Sequence, residues 1–157
     1  MTDFKTNAMR ILDKQKIPYK HYCYADKPTT CGTEVAAVLG QNPAQVFKTL
    51  VTVSKSRQHY VFMLPVDKEL DLKKAAASVG EKAVDMLKSK ELLPLTGYIH
   101  GGCSPIGMKK FFTTTIDGSA RNFETIIYSA GKIGYQIETS LADLQKVIRF
   151  QLADITE

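Results

Sequence analysis

Residues 46–66 read VFKTLVTVSKSRQHYVFMLPV, and this stretch decides the fold. Two apolar runs rich in β-forming residues, Val46 to Val53 and Tyr60 to Val66, enclose the polar segment 54–59. This pattern predicts a β-hairpin, because two apolar strands joined by a short polar segment can pair side by side. The hairpin in turn indicates a sheet that is largely antiparallel.

Segments typical of helices and strands alternate on both sides of this hairpin. Helices are predicted over 3–16 (capped by Thr2 or Asp3), 34–39 (capped by Thr33), 72–79 and 141–147. Further strands are predicted at 19–24, 97–100, 111–116, 125–129, 135–138 and 152–155, while 81–95 fits either type. These elements predict one mixed α/β (α+β) domain over residues 1–157, with a largely antiparallel, barrel-like sheet flanked by helices.

The composition is that of a soluble globular protein, with 44% hydrophobic and 24% charged residues among 157. The sequence has no run of about 18 apolar residues, and its first ten residues lack the apolar core of a signal peptide. We therefore expect a cytoplasmic protein with no membrane partner. Cys23, Cys31 and Cys103 are an odd number of cysteines in such a protein, so free thiols are expected.

The net charge of +5 favours an anionic partner such as a nucleic acid. The lysines concerned occur in short groups: Lys73-Lys74, Lys88 with Lys90, and Lys109-Lys110. Each group is also compatible with an ordinary solvated face.

The segment 97–107, GYIHGGCSPIG, contains a glycine pair followed by a Ser-Pro turn. Glycines allow a backbone to approach a ligand closely with its N–H groups unobstructed, as a loop that binds a carbonyl or phosphate requires. A plain turn remains the alternative. The segment 128–138 similarly indicates a strand, a turn of small residues and a strand.

Lys48 is an anomaly within an otherwise apolar strand. Under strict alternation it shares a face with Leu50 rather than with Phe47 and Thr49. A charge on an apolar face is costly unless it meets an anion or a cavity. The alternative is a lysine that snorkels from a solvent-exposed face.

Two other chemistries use the histidines and cysteines. His21, Cys23, His100 and Cys103 could supply four zinc ligands, although neither pair has a familiar zinc spacing. Cys103 could also act as a nucleophile with His100 as its base, or simply fill space in a glycine loop.

The ordered motifs resemble those of the YbaK family of free-standing aminoacyl-tRNA deacylases, which is related to the editing insertion domain of prolyl-tRNA synthetases. The resemblance spans nearly the whole chain. Its motifs are the helix–Pro18–strand opening, Val46-Phe47-Lys48-Thr49-Leu50, Leu70-Asp71-Leu72-Lys73-Lys74, the stretch 97–110 and Ser129-Ala130-Gly131-Lys132. The spacing of Gly101 and Pro105 is similar to the Gly-x-x-x-Pro loop of that family.

The resemblance implies a mostly antiparallel, barrel-like fold and cleavage of the ester that joins a wrong amino acid to tRNA. It implies catalytic roles for Lys48, Gly101 and Tyr24. The implied substrate-binding residues are Cys31, Thr49, Gly102, Cys103, Ser104, Pro105, Ser129, Gly131 and Gln136. Neither a metal nor a cofactor is implied. The implied partners are proline tRNA charged with cysteine and, with it, prolyl-tRNA synthetase.

The sequence departs from the family pattern at two positions. Gln136 stands where cysteine-specific members are expected to carry an acidic residue, and Cys31 stands where an aromatic residue often lines the pocket. In the family the thiol of the substrate cysteine attacks its own ester, so no protein nucleophile is required. The alternatives are a deacylase that clears alanine from proline tRNA with water, and a non-catalytic module that binds RNA ends.

Overall fold

The computed structural model describes residues 5–26 and 32–157. The helices are α1 Asn7–Lys14, α2 Gly32–Val38, α3 Leu72–Ser78, α4 Ser89–Thr96 and α5 Leu141–Leu144, with a 3-10 helix at Gly118–Asn122. The strands are β1 Lys20–Cys23, β2 Phe47–Ser54, β3 His59–Pro65, β4 Val84–Met86, β5 Thr113–Asp117, β6 Ile126–Lys132, β7 Tyr135–Thr139 and β8 Gln151–Ala153. Within the described residues, no helix is both long and apolar enough to span a membrane.

The strands form two sheets that are not closed into a barrel. A three-stranded antiparallel sheet has the order β1-β7-β6, and a five-stranded sheet has the order β4-β2-β3-β5-β8. A single bridge between Val46 and Ile127 links them at the start of β2. The mixed α/β class is confirmed, whereas the closed, barrel-like arrangement is not.

The larger sheet is also less antiparallel than expected. The predicted hairpin is confirmed, since β2 pairs with β3 in antiparallel register, as it does with β4. However, β5 is parallel to β3, and β8 is parallel to β5. The chain between β3 and β5 contains α3, β4 and α4, and such a long connection can return a strand in the same direction.

Both faces of the larger sheet are covered. Phe47 on β2 and Met63 on β3 pack with α1 and the smaller sheet in one apolar cluster. Phe62 and Leu64, on the opposite face, pack with α3, and Leu50 borders this second cluster. Residues of β2 therefore alternate between two interiors, as the period of a strand requires.

Several predicted boundaries shift for local reasons. Helix α1 begins at Asn7 because the Thr6 hydroxyl accepts a hydrogen bond from the Met9 N–H (3.2 Å) and caps it. The predicted caps at residues 2 and 3 lie outside the described residues. The predicted strand at 97–100 is wrong, because Gly97 ends α4 in a left-handed conformation (φ +88°) and a loop follows.

Candidate functional site

An open cavity of about 980 Å³ lies where the start of β2 meets the smaller sheet and the loop 98–107. Seven of the residues implied by the family resemblance line it: Tyr24, Lys48, Thr49, Gly101, Cys103, Ser129 and Gln136. They come from positions more than a hundred residues apart in the chain. The fold thus brings together residues that the sequence could only associate through the resemblance.

Lys48 is half-buried and lines this cavity. Within the described part of the chain, no hydrogen bond or ion pair involves its ammonium group. Asp67 and Glu69 also line the cavity, but neither carboxylate forms an ion pair with Lys48. A lysine without a partner at a cavity is available to bind an anionic or strongly polar ligand.

Among the residues that the structure describes, no strand pairs with the edge of β2 beside Lys48. The Leu87 N–H donates to the Val51 carbonyl (3.0 Å), so the odd-numbered residues of β2 direct their backbone groups towards β4. Strand β4 pairs only with Thr52–Ser54. The backbone N–H and C=O of Thr49 therefore point towards the β4 side of β2, at a position where no described strand accepts or donates a hydrogen bond to them. The Thr49 Oγ1 atom is also buried without a hydrogen-bond partner among the described residues.

The loop 98–107 supplies the opposite wall. Gly101 has a left-handed backbone (φ +87°) that favours glycine, and it lines the cavity. The buried Tyr98 hydroxyl donates to the Ile106 carbonyl (2.5 Å), and the Ser104 hydroxyl accepts from the Ile106 N–H (3.2 Å). These bonds hold the loop in one conformation, so the Gly101 backbone is presented by a supported segment.

Four of the implied substrate-binding residues, Gly102, Ser104, Pro105 and Gly131, do not line the cavity. Two of these glycines instead permit close packing. A Cβ on Gly102 would lie 3.0 Å from the Ile133 backbone nitrogen, and one on Gly131 would lie 2.8 Å from Tyr98 Cε1. Cys31 lies outside the described residues.

The structure also places in the cavity residues that were not predicted to be there, among them Asp67, Glu69, Leu72, Met86 and Tyr128. Asp67 and Glu69 come shortly after the end of β3. Polar residues just beyond a buried strand are a signal that could have predicted a functional site at this end of β3. No comparable signal exists for Leu72 and Met86.

The geometry gives no support to the two cysteine chemistries. Burial raises the pKa of the Cys103 thiol to about 12, so it is protonated at neutral pH. No hydrogen bond joins it to His100, which is exposed. Across residues 5–26 and 32–157, no three His, Cys, Asp or Glu side chains are placed to hold a metal ion, so the four proposed zinc ligands do not form a site.

The wall formed by the smaller sheet carries Tyr24, Ser129 and Gln136. Tyr24 is buried, and its backbone N–H donates to the Gly134 carbonyl (2.7 Å). Ser129 and Gln136 are directly paired across β6 and β7. Gln136 is only 6% exposed, so little more than one edge of its side chain can reach a ligand.

Comparison with known proteins identifies the class. A model of the aminoacyl-tRNA editing domain matches residues 27–147. The chain therefore belongs to the aminoacyl-tRNA editing domain family.

A relative from Enterococcus faecalis, EbsC, is named as a candidate Cys-tRNA(Pro)/Cys-tRNA(Cys) deacylase. It is 46% identical over 156 residues, which cover 99% of this chain and 95% of EbsC.

Solved structures share the fold. The crystal structure of a candidate trans-editing enzyme for prolyl tRNA synthetase superposes with a TM-score of 0.81 at 22% identity, covering 98% of this chain and 99% of the other. The hypothetical protein APE2540 gives a TM-score of 0.82 at 22% identity, with coverage of 94% and 97%. The mixed α/β architecture is that of editing-domain structures.

Proposed function

We propose that this chain is a trans-editing aminoacyl-tRNA deacylase, acting as a single domain over residues 1–157. Its substrate is proline tRNA mischarged with cysteine, together with Cys-tRNA(Cys). Membership of the editing-domain family and the 46% identity to EbsC support this proposal. The observation that carries it is the cavity itself, which combines Lys48, the unpaired edge of β2 at Thr49 and the Gly101 backbone.

Each of these three features has a defined role in the proposal. The Lys48 ammonium holds the negatively charged end of the RNA or the ester itself, since it has no partner among residues 5–26 and 32–157. The N–H groups of Thr49 and Gly101 donate to the carbonyl oxygen as negative charge develops on it. Tyr24, together with the other wall residues, confines the amino-acid part.

The reaction needs no nucleophile from the protein. The substrate thiol loses its proton to solvent, and the sulfur attacks the ester carbonyl carbon. A C–S bond forms, the C–O bond to the ribose breaks, and the ribose oxygen takes a proton from solvent. The products are uncharged tRNA and the cyclic thiolactone of cysteine, with no change of oxidation state. An unperturbed thiol is a few per cent ionised near neutral pH, and confinement against the carbonyl contributes several kcal/mol.

The proposed setting is the cytoplasm, where charged tRNA is present. Prolyl-tRNA synthetase releases the mischarged substrate, so it is the protein partner we propose to test. The net charge of +5 suits an RNA ligand.

A second candidate is a deacylase that removes alanine from proline tRNA with water. Two observations favour it: Gln136 is uncharged, and the cavity of about 980 Å³ has room for water molecules beside an alanyl group.

The deciding experiment measures deacylation of purified Cys-tRNA(Pro), Cys-tRNA(Cys), Ala-tRNA(Pro) and Pro-tRNA(Pro). We expect the two cysteinyl substrates to be cleaved far faster than the other two. Faster cleavage of Ala-tRNA(Pro) would establish the second candidate. Binding of charged tRNA without cleavage of any of the four would instead indicate a module that only binds RNA ends.

A further inference from the structure

Gln41 lies outside the cavity wall but contacts a residue that forms it. It follows α2 (Gly32–Val38), beyond which Gly40 adopts a left-handed conformation (φ +68°). The Gly40 N–H donates to the Ala37 carbonyl (3.2 Å) and the Gln41 N–H to the Ala36 carbonyl (2.8 Å). This pair of bonds is the Schellman pattern of a helix end, and it fixes the Gln41 backbone.

The Gln41 side chain is hydrogen-bonded to Gln136. Its Nε2 donates to the Gln136 Oε1 at 2.9 Å. The oxygen of the Gln136 carboxamide is therefore engaged, and its N–H groups are the polar atoms left to serve the cavity. The Gln41 Oε1 is buried with no hydrogen-bond partner among the described residues.

We propose that Gln41 is a positioning residue that holds the Gln136 carboxamide with its N–H groups directed at the sulfur of the substrate. This inference rests on the proposed function and deepens it. It explains how the uncharged Gln136 can assist the reaction at a position where the family resemblance led us to expect a carboxylate. A carboxylate repels a thiolate, whereas an N–H donor hydrogen-bonds to it and favours the ionised, reactive form.

Other titratable groups surround this position and must be held constant in a test. Those that line the cavity are Tyr24, Lys48, Asp67, Glu69, His100 and Cys103, together with the fully buried Tyr128. Tyr22 on β1 pairs with Gln136, Glu138 lies two residues further along β7, and the side chains of Tyr22 and Glu138 are hydrogen-bonded to each other. Gln41→Met replaces none of these groups and adds no charge, so its effect on the pH profile reports on the Gln41–Gln136 pair, whereas Gln41→Glu also adds a charge.

The test compares Gln41→Met and Gln41→Glu with Gln45→Met. Met removes the donor at similar size, and Glu also offers an acceptor that would turn the Gln136 amide around. Gln45 is the matched control, because its Nε2 donates to Thr125 in the same segment and it does not line the cavity. The measurements are kcat for Cys-tRNA(Pro) across pH 6 to 9, and the melting temperature.

We expect Gln41→Met to lower kcat at pH 7 about tenfold and to raise the midpoint of the pH profile by about one unit, because a charge-assisted hydrogen bond to the thiolate is lost. Gln41→Glu should be at least as impaired, while Gln45→Met keeps the wild-type profile. In a Gln136→Met background, Gln41→Met should have no further effect, since it acts through Gln136.

A folded Gln41→Met protein with the wild-type kcat and midpoint would overturn the proposal. So would additive effects of the two substitutions, or an equal shift in Gln45→Met. These outcomes differ from failure of the proposed function, in which the wild-type protein itself does not cleave Cys-tRNA(Pro).

Discussion

Lys48 combines a strand position among apolar neighbours with an ammonium group at the cavity that has no partner in the described part of the chain. We predict that Lys48→Ala lowers kcat/KM for Cys-tRNA(Pro) at least about a hundredfold, as expected when an electrostatic contact to the reacting group is lost. The melting temperature should not fall, because no ion pair or hydrogen bond of Lys48 is lost within the described residues. Lys90→Ala, at an exposed position, is the control. A folded Lys48→Ala protein with normal turnover would remove Lys48 from the site.

Alanine substitutions at Gly101 and Gly80 distinguish the effect of backbone strain from the effect of altering the cavity. Both have a left-handed backbone, at φ +87° and +73°, and neither faces an atom that an added Cβ would clash with. We predict that Gly101→Ala and Gly80→Ala each cost about 1–2 kcal/mol of stability. Only Gly101→Ala should also lose activity, because only its backbone lines the cavity. Equal activity of the two variants, measured at a temperature where both are folded, would contradict the role of Gly101.

The protonation state of Cys103 bears on whether the attacking nucleophile is the thiol of the substrate or a thiol of the protein. Because burial raises the pKa of Cys103 to about 12, its thiol is protonated at pH 7. We therefore predict that Cys103→Ser keeps activity within a few-fold of the wild type, whereas loss of a covalent nucleophile costs many orders of magnitude. Single-turnover assays with Cys-tRNA(Pro) measure the difference. Loss of all activity in a folded Cys103→Ser protein would contradict the mechanism in which the substrate thiol is the nucleophile.

Among the elements around the cavity, the loop 98–107 is held in part by a hydrogen bond from the buried Tyr98. Tyr98→Phe leaves the Ile106 carbonyl without that donor. We predict a loss of about 1–3 kcal/mol of stability and a several-fold loss of kcat, because the Gly101 backbone is held less firmly.

Tyr60→Phe is the matched control for this loop. The Tyr60 hydroxyl donates to a Glu81 carboxylate oxygen at the same 2.5 Å, in a hairpin region that does not line the cavity. The hydrogen bond to Glu81 also raises the pKa of Tyr60, which marks it as a charge-assisted contact. Tyr60→Phe should therefore change stability without changing kcat. A kcat loss of the same size in both variants would mean that activity merely follows stability.

At the scale of the whole molecule, the positive charge should govern RNA affinity. The grouped lysines 73, 74, 88, 90, 109 and 110 are all exposed, although Lys74 is already paired with Asp154 (3.0 Å). We predict that kcat/KM for Cys-tRNA(Pro) falls roughly 10- to 40-fold between 50 and 200 mM salt, for two to three phosphate contacts. The melting temperature over the same range is the control. A flat salt response would show that the protein contacts little of the RNA beyond its charged end.

The sequence by itself determined the features that are local in the chain. The hairpin 46–66 and the helix over 72–79 follow from patterns of neighbouring residues, and the structure contains both, the helix as Leu72–Ser78. The anomaly of Lys48 was also visible, because a charge on an apolar face is costly unless it meets an anion or a cavity. These features depend on periodicity and short-range hydrogen bonds, which a single sequence records.

Only the tertiary structure decided the features that join distant segments. The parallel pairing of β5 with β3, and the hydrogen bond from Gln41 to Gln136, connect residues dozens of positions apart. It also decided that Gly101 lines the cavity while Gly102 packs against the turn near Ile133. Two adjacent glycines cannot be told apart from the sequence, and their roles differ only because different parts of the structure lie next to each one. Those contacts arise from the packing of the whole chain, which local patterns do not specify.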